Sequence, residues 1–377
     1  MITSRSRRRQ LPSWWRANDA HGPLRDLNKR VLSFLHPGAF RLFLAVIVLV
    51  SHSCRFDPGD WAVYSFFILS GYWISRMWEN KYSRTDNPIL VFFISRLVRL
   101  LPVFLVANLV AAIVQRLVDP SFLSPNVPGW NWIPALASNL LILGYSSLPH
   151  SQGALHVAWS LDVEMQFYLA FPVFVALLSR GRSAAFWAAF LGAACVAGLL
   201  IFLVQLSPNP RNLGCCGLYF FLGLMAARAN WRPSGSSVSV IACAAVAFVA
   251  VCWFVPDWRF LFENEKHGAT AIDYHHKRIA QAVLAVFTAP VALFTVTRPS
   301  GPTDRALGEY TYVMYLIHWP VIVLHAHYFA GLAPLARIPS LLVAWLAIAA
   351  LSLVVFRYFD QPIEHIRKRW VSSHRAA

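Results

Sequence analysis

The chain alternates long apolar runs with short segments that carry most of its charges. Most of the runs approach or reach the roughly 17–25 residues that a helix needs to cross the hydrocarbon of a bilayer. The pattern therefore predicts an all-α fold, a polytopic membrane helical bundle of about ten transmembrane helices. The predicted spans are 40–54, 61–78, 90–116, 160–179, 184–206, 214–230, 236–255, 278–297, 309–329 and 338–358. A further apolar stretch, 132–148, contains Asn139 and turn residues, and it predicts an interfacial or re-entrant segment.

Composition and charge support a membrane protein. The 377 residues are 57% hydrophobic and 13% charged, with a mean hydropathy of +0.51, and that charged share is about half of what soluble proteins carry. The net charge of +16 is spread over the segments between apolar runs, so the partner it predicts is the lipid bilayer and not nucleic acid. With the amino terminus inside, most lysines and arginines fall on the inner side. We therefore expect both termini to be cytoplasmic.

This topology predicts one membrane domain flanked by two tails. Residues 1–39 are basic and polar and predict a cytoplasmic N-terminal tail, residues 40–359 form the transmembrane domain, and residues 360–377 predict a basic cytoplasmic C-terminal tail. The six cysteines lack metal-ligand spacing, and no metal is expected.

Five stretches of the sequence together resemble the acyltransferase-3 family of integral-membrane acyltransferases. They are Phe40-Arg41 through His52, Ser65 through Tyr72, Arg96 through Pro102, Trp159 through Tyr168 with Pro172, and Leu307 through Pro320. The resemblance covers roughly residues 38–370. It implies a ten-helix domain that takes an acyl group, usually acetyl, from cytoplasmic acyl-CoA and delivers it to a hydroxyl of a sugar or other acceptor.

The first apolar run carries two ionisable residues, Arg41 and His52, eleven positions apart. On a helix they lie about three turns apart and near one face. A charged group in hydrocarbon costs roughly 2.5–3.5 kcal/mol on insertion scales, so such residues tend to be kept for function. The resemblance implies that His52 is catalytic, as a general base or as a nucleophile, and that Arg41 helps to hold CoA. The alternatives are an interfacial histidine bonded to a carbonyl and an arginine that anchors the topology.

Arg96 and Arg99 lie one turn apart near the inner end of the third predicted helix. Guanidinium groups form bidentate, charge-assisted hydrogen bonds with phosphate, and the resemblance associates this pair with the phosphates of CoA. The alternative is a pair of arginines that snorkel to the lipid headgroups.

Trp159 directly precedes the fourth predicted span, which contains Glu164 near its start. Glu164 is a candidate catalytic carboxylate that orients a histidine or accepts a hydrogen bond from a sugar hydroxyl, and the alternative is an acid favoured by the helix dipole. Trp159 is expected near the substrate or around the catalytic residues.

Four further motif positions are candidates. Ser70 and Gly71 are expected to bind the donor, because glycine leaves room for a narrow pantetheine arm, although close helix packing explains them equally well. Tyr72 and His318 are expected near the acceptor or behind the catalytic residues.

The sequence departs from the family pattern at Tyr64, where many members carry an aspartate two residues before the Phe-Phe pair. A mechanism that needs a carboxylate at this position must obtain it elsewhere, which favours Glu164.

These features predict a membrane-bound O-acyltransferase in a bacterial inner membrane. Acetyl-CoA or another acyl-CoA is the expected donor, and a cell-surface or exported polysaccharide, including a lipid-linked repeat unit, is the expected acceptor. The alternative is a secondary transporter or acyl-group flippase, but the sequence lacks the internal repeats that transporters often show.

Overall fold

The computed structural model describes residues 36–122, 132–148, 152–179, 183–203, 211–264, 271–329 and 331–374. Within these ranges the fold is all-helical, and only one isolated β-bridge, between Phe56 and Glu263, is formed. The helices are α1 (Pro37–Ser53), α2 (Gly59–Asn80), α3 (Pro88–Val118), α4 (Trp132–Leu141), α5 (Trp159–Leu178), α6 (Ala184–Leu203), α7 (Leu213–Arg228), α8 (Gly235–Phe254), α9 (Ala271–Phe287), α10 (Ala289–Thr295), α11 (Pro302–Phe329), α12 (Ile338–Val355) and α13 (Gln361–Ser373).

Each predicted apolar run coincides with a helix or, for 278–297, with the successive helices α9 and α10. Five helical segments are long and apolar enough to cross a membrane, and the pair α9–α10, bent by 48°, makes a sixth if it is one span. Helix α4 has only 10 residues, so it is too short to cross. The all-helical class is therefore confirmed, whereas the number of ten spans stays a prediction.

Helices α2 and α7 pack closely against each other in the core. A Cβ built on Gly71 would lie 2.1 Å from the carbonyl oxygen of Phe220, and one on Gly223 would lie 1.9 Å from that of Ile68. The two glycines thus let each backbone touch the other, as small residues do at helix interfaces in membranes.

Replacing Gly71 by alanine is expected to lower the melting temperature of the detergent-purified protein. Alanine normally favours a helix over glycine by up to about 1 kcal/mol, but here the methyl group would overlap a backbone carbonyl, and overpacking of this kind costs about 1–3 kcal/mol. Gly235 is the matched control, because nothing lies within 4 Å of a Cβ built there. If Gly71→Ala melts like Gly235→Ala, the close contact is not required.

Helix α1 is fixed against α11 at its first turn. The carboxylate of Asp304 accepts hydrogen bonds from the backbone N–H groups of Gly38 (3.1 Å) and Ala39 (2.9 Å), which satisfies two donors that a helix start leaves free. This contact fixes the position of α1 along α11. Arg41 therefore lies at one end of the pair and His52 at the other, and we call these the arginine end and the histidine end.

The histidine end of α1 is held by a buried polar cluster. Lys277 is 4% exposed, donates to a carboxylate oxygen of Asp57 at 2.5 Å and also bonds the carbonyl oxygen of Glu263 at 2.9 Å. Asn264 donates to the carbonyl oxygen of Ser51 at 3.1 Å. These contacts fix the chain on both sides of His52.

The predicted C-terminal tail is instead part of the helical body. Residues 356–360 continue α12 as a π-turn, and α13 packs against α3. Glu364 and Arg367 are 5% and 7% exposed. Their spacing places both on one face of the helix, which explains why a segment with a basic composition packs inward. Residues 1–35 of the predicted N-terminal tail lie outside the described residues.

Candidate active site

A cavity of about 280 Å³ opens between α1, α2, α3, α5, α11 and α13. Its size is close to the lower end of small-molecule sites, which span about 300–1,000 Å³. Its charged lining contains four guanidinium groups and three carboxylates, from Arg41, Arg96, Arg99, Arg367, Glu164, Glu309 and Glu364. The site is therefore strongly charged inside an otherwise apolar bundle.

Arg96 and Arg367 converge on one phenol at the arginine end. Both guanidinium groups donate to Tyr82 Oη, and Arg367 also donates to Ser95 Oγ at 2.5 Å and pairs with Glu364 at 2.5 Å. Burial alone raises the pKa of the Tyr82 phenol, but the two guanidinium groups outweigh it and hold this pKa below its ordinary value. Nε of Arg96 stays buried without a hydrogen-bond partner among the described residues.

Arg99 forms an ion pair with a carboxylate, whereas Arg41 forms none among the described residues. Arg99 donates to both carboxylate oxygens of Asp360, at 3.0 and 3.1 Å, and lies over the ring of Tyr312. Arg41 Nε is buried without a hydrogen-bond partner, and no carboxylate within the described ranges forms an ion pair with Arg41. Arg41 therefore keeps unused hydrogen-bonding capacity in the cavity wall.

Glu164 lines the same cavity as the arginines. Its Oε1 accepts hydrogen bonds from Ser70 Oγ and from Tyr168 Oη, both at 2.6 Å. Among the described residues, no hydrogen bond joins Glu164 to His52. The predicted use of Glu164 to orient a histidine is thus not what the geometry provides, and Ser70 holds this carboxylate instead.

His52 sits in a cluster of rings at the histidine end. Its imidazole stacks on that of His318, with ring centroids 5.4 Å apart, and meets the edge of Trp319 at 5.3 Å. On its other side Trp319 contacts His156 at 5.4 Å. The sequence-predicted pair of His52 and His318 is therefore brought together, and the cluster adds two rings, those of Trp319 and His156, that sequence reasoning did not select.

Tyr315 separates this ring cluster from the cavity. It lines the cavity, hydrogen-bonds Ser160 Oγ at 2.7 Å, and its ring lies 5.8 Å from that of His318. His52 is thus one layer of side chains beyond the end of the cavity. A donor that reaches His52 from the arginine end must pass Ser160 and Tyr315.

Trp159 belongs to the opposite side of this layer. It lines a second cavity of about 40 Å³ together with His156 and Arg211, whose guanidinium lies over the Trp159 ring at 5.0 Å. The Trp319 ring contacts both His156 and His52. His156 and Trp319 therefore connect the wall of this second cavity to His52.

The remaining sequence-predicted positions have structural partners. Gly71 faces α7 and not the cavity, and Tyr72 packs its ring against Trp73. Tyr64, at the position where a carboxylate was missing, stacks on Tyr219 with ring centroids 4.5 Å apart. The Tyr64–Tyr219 stack thus lies where the family pattern has a carboxylate. No group of three metal-ligating side chains occurs in the described part of the chain.

Sequence reasoning missed several residues of the site. Tyr168 follows Glu164 by four residues, and this helical spacing could have predicted their contact. Arg367 was assigned to a tail, although its spacing of three from Glu364 is typical of one helix face. Tyr315 and Trp319 lie inside a recognised motif without a charge to draw attention to them.

Comparisons with known proteins agree with the motifs. A family model described as an acyltransferase domain, that of the acyltransferase-3 family, matches residues 32–357. The O-acetyltransferase OatA of Staphylococcus aureus (strain NCTC 8325 / PS 47) is 22% identical in an alignment of 352 positions that covers 86% of this chain and 56% of that protein. The chain thus spans about half the length of this relative. The acyltransferase MdmB of Streptomyces mycarofaciens is 25% identical in an alignment of 297 positions that covers 70% of this chain and 68% of that protein.

No solved structure matches the chain significantly. The family model nevertheless covers most of it, including Arg41, His52 and the arginine pair of α3. The chain therefore belongs to the acyltransferase-3 family of integral-membrane acyltransferases.

Proposed function

We propose that this protein is a membrane-bound O-acyltransferase of a bacterial inner membrane. It moves an acetyl group from cytoplasmic acetyl-CoA to a hydroxyl of a cell-surface or exported polysaccharide, including a lipid-linked repeat unit. The observation that carries the proposal is the arginine-lined cavity that leads towards His52. The name of the relative OatA, an O-acetyltransferase, supports acetyl as the group transferred.

The arginine end suits the phosphates of the donor. Arg41 and Arg96 each have a buried Nε without a hydrogen-bond partner among the described residues. A buried polar atom without a partner costs about 1–3 kcal/mol of folding free energy. A phosphate oxygen would satisfy such a donor through a charge-assisted hydrogen bond. Arg99 and Arg367 already bond carboxylates, so their main contribution is to fix the cavity wall and its positive potential.

The proposed topology has ten spans with both termini in the cytoplasm. The spans are α1, α2, α3, α5, α6, α7, α8, the bent pair α9–α10, α11 and α12, which places the arginine end on the inner side, as the positive-inside rule favours. Along α1, eleven residues at 1.5 Å each separate Arg41 from His52 by about 16 Å. An extended pantetheine arm would cover this distance and carry the thioester from the arginine end to His52.

His52 would act as the general base. The acceptor hydroxyl attacks the carbonyl carbon of the thioester while His52 takes its proton, the C–S bond then breaks, and the CoA thiol leaves with that proton. The ring cluster supports this role because His318 and Trp319 pack against the imidazole and fix its position beyond the end of the cavity.

Transfer of labelled acetyl groups tests the proposal. Purified protein in nanodiscs receives [¹⁴C]acetyl-CoA and exported polysaccharide of the host, freed of esters by mild alkali. We expect label in the polysaccharide and an equal amount of CoA thiol, both dependent on the protein. In a parallel experiment the protein is placed in sealed vesicles. Acetyl label that enters the vesicles without release of CoA thiol would contradict the proposed acyltransferase activity and support a transporter. Label retained on the protein after acid quenching would identify His52 as a nucleophile instead of a base.

A further inference from the structure

Two buried polar atoms next to His52 have no hydrogen-bond partner among the described residues, Nε2 of His318 and Nε1 of Trp319. Buried polar groups are nearly always satisfied in folded proteins, so an unsatisfied one calls for an explanation. Both belong to side chains whose rings contact His52 directly. The two unsatisfied atoms are therefore concentrated at the proposed reaction centre.

The chemistry of the two atoms is complementary. Nδ1 of His318 lies 3.3 Å from the carbonyl oxygen of Met314, and since a carbonyl only accepts, Nδ1 carries the hydrogen and Nε2 is a bare acceptor. The indole nitrogen of Trp319 can only donate. An acceptor hydroxyl can donate to the first atom, and an oxygen such as that of the thioester carbonyl can accept from the second, more strongly as it gains negative charge.

Two other indoles near this end of the bundle have hydrogen-bond partners. Trp345 Nε1 donates to Ser53 Oγ at 3.2 Å, and Trp61 Nε1 donates to Thr288 Oγ1 at 2.8 Å. Trp319 differs from these two tryptophans because its buried indole N–H has no hydrogen-bond partner among the described residues. It is also the ring that contacts both His52 and His156.

We propose that Trp319 is a catalytic residue whose indole N–H stabilises the oxyanion of acyl transfer, an inference that rests on the proposed function. As the acceptor oxygen bonds to the thioester carbon and His52 takes its proton, the electron pair of the C=O double bond moves onto the carbonyl oxygen. Trp319 Nε1–H donates to this O⁻. The pair then returns, the C–S bond breaks, and the thiolate takes the proton from His52.

The buried position makes this hydrogen bond strong at the moment it is needed. A donor in a site that excludes water interacts with developing charge far more strongly than in bulk solvent, and it needs no reorganisation during the reaction. The apolar surroundings of α11 provide such a site. Trp319 would therefore act mainly on the transition state and little on donor binding.

The test compares Trp319→Phe with Trp345→Phe in the same nanodisc assay. Trp319→Phe keeps a ring against His52 but removes the N–H, and we expect kcat to fall about 10²- to 10³-fold, as for loss of one oxyanion donor, with the KM for acetyl-CoA within about twofold of wild type. Trp345→Phe removes an indole N–H near Ser53, and we expect it to keep wild-type kcat.

A second variant removes the N–H without changing the shape of the side chain. β-(3-Benzothienyl)alanine, placed at position 319 by stop-codon suppression, has sulfur in place of the indole N–H, and we expect the same loss of kcat. Unchanged kcat in either variant overturns the proposal, as does a rise in KM with kcat unchanged. If wild type itself transfers no acetyl group, the proposed function fails; if wild type is active and the Trp319 variants are too, only this inference fails.

Discussion

Replacement of His52 by glutamine is expected to lower kcat for acetyl transfer by about 10²- to 10⁴-fold, the range that a general base contributes. The amide of glutamine approximates the size and polarity of imidazole, but it cannot take a proton from the acceptor hydroxyl. The rings of His318 and Trp319 would still frame the site. The measurement is acceptor-dependent release of CoA thiol by the nanodisc-reconstituted variant.

A matched control separates this loss from a defect in folding. His325, on the same helix as His318, is 6% exposed and bonds Ser340 Oγ at 3.1 Å away from the cavity, so His325→Gln should retain wild-type kcat. His52→Ala with added imidazole supplies a second readout, because a small diffusible base restores activity only where a proton acceptor was lost. A His52→Gln variant that keeps more than about a tenth of kcat would refute the role of His52 as a base, since the expected loss is at least about 10²-fold.

The sequence predicted the helices of this fold well because each is specified by its own apolar run. Helices α3 and α12 could be located without reference to any other part of the chain, since length and hydropathy are local properties. The arginine pair of α3 and His52 were also identified locally, through motifs. Local patterns could not predict which polar groups line the same wall of the cavity.

The positions of Glu164 and Arg367 illustrate this limit. Glu164 was expected to orient a histidine or to accept a hydrogen bond from a sugar hydroxyl, but in the fold it accepts hydrogen bonds from Ser70 of α2 and from Tyr168 of its own helix. Arg367 was assigned to a tail because composition alone cannot tell a solvated basic segment from a helix that packs a single buried ion pair. Both errors concern tertiary contacts, which are set by how α2, α5 and α13 pack and not by the periodicity of any one of them.

Burial of charge also explains why the site is divided between two ends. Charges in a bilayer interior are costly unless they are paired or line a polar cavity. The arginines that line the cavity come from α1, α3 and α13, and the rings of His52, His318 and Trp319 lie beyond the cavity at the histidine end. A donor with charged phosphates and an uncharged thioester has the same division.

Replacement of Arg41 by glutamine is expected to raise the KM for acetyl-CoA roughly ten- to a hundred-fold without reducing stability. A hydrogen bond to a charged group contributes about 1.5–3 kcal/mol, and Arg41 lines the cavity with an unsatisfied Nε. Its removal breaks no ion pair among the described residues, unlike removal of Arg99, which would leave Asp360 unpaired. Loss of function without loss of stability is typical of a residue kept for binding.

The expected split between KM and kcat distinguishes binding from catalysis. Phosphates lie far from the reacting carbonyl and are held equally in the ground state and the transition state, so kcat should change little. Arg41→Lys keeps the charge but not the planar fork, and an intermediate KM is expected. Arg305→Gln, at an exposed arginine in the first turns of α11, controls for the loss of one topology-anchoring charge. Equal KM values for Arg41→Gln and Arg305→Gln would mean that Arg41 anchors the helix and does not bind the donor.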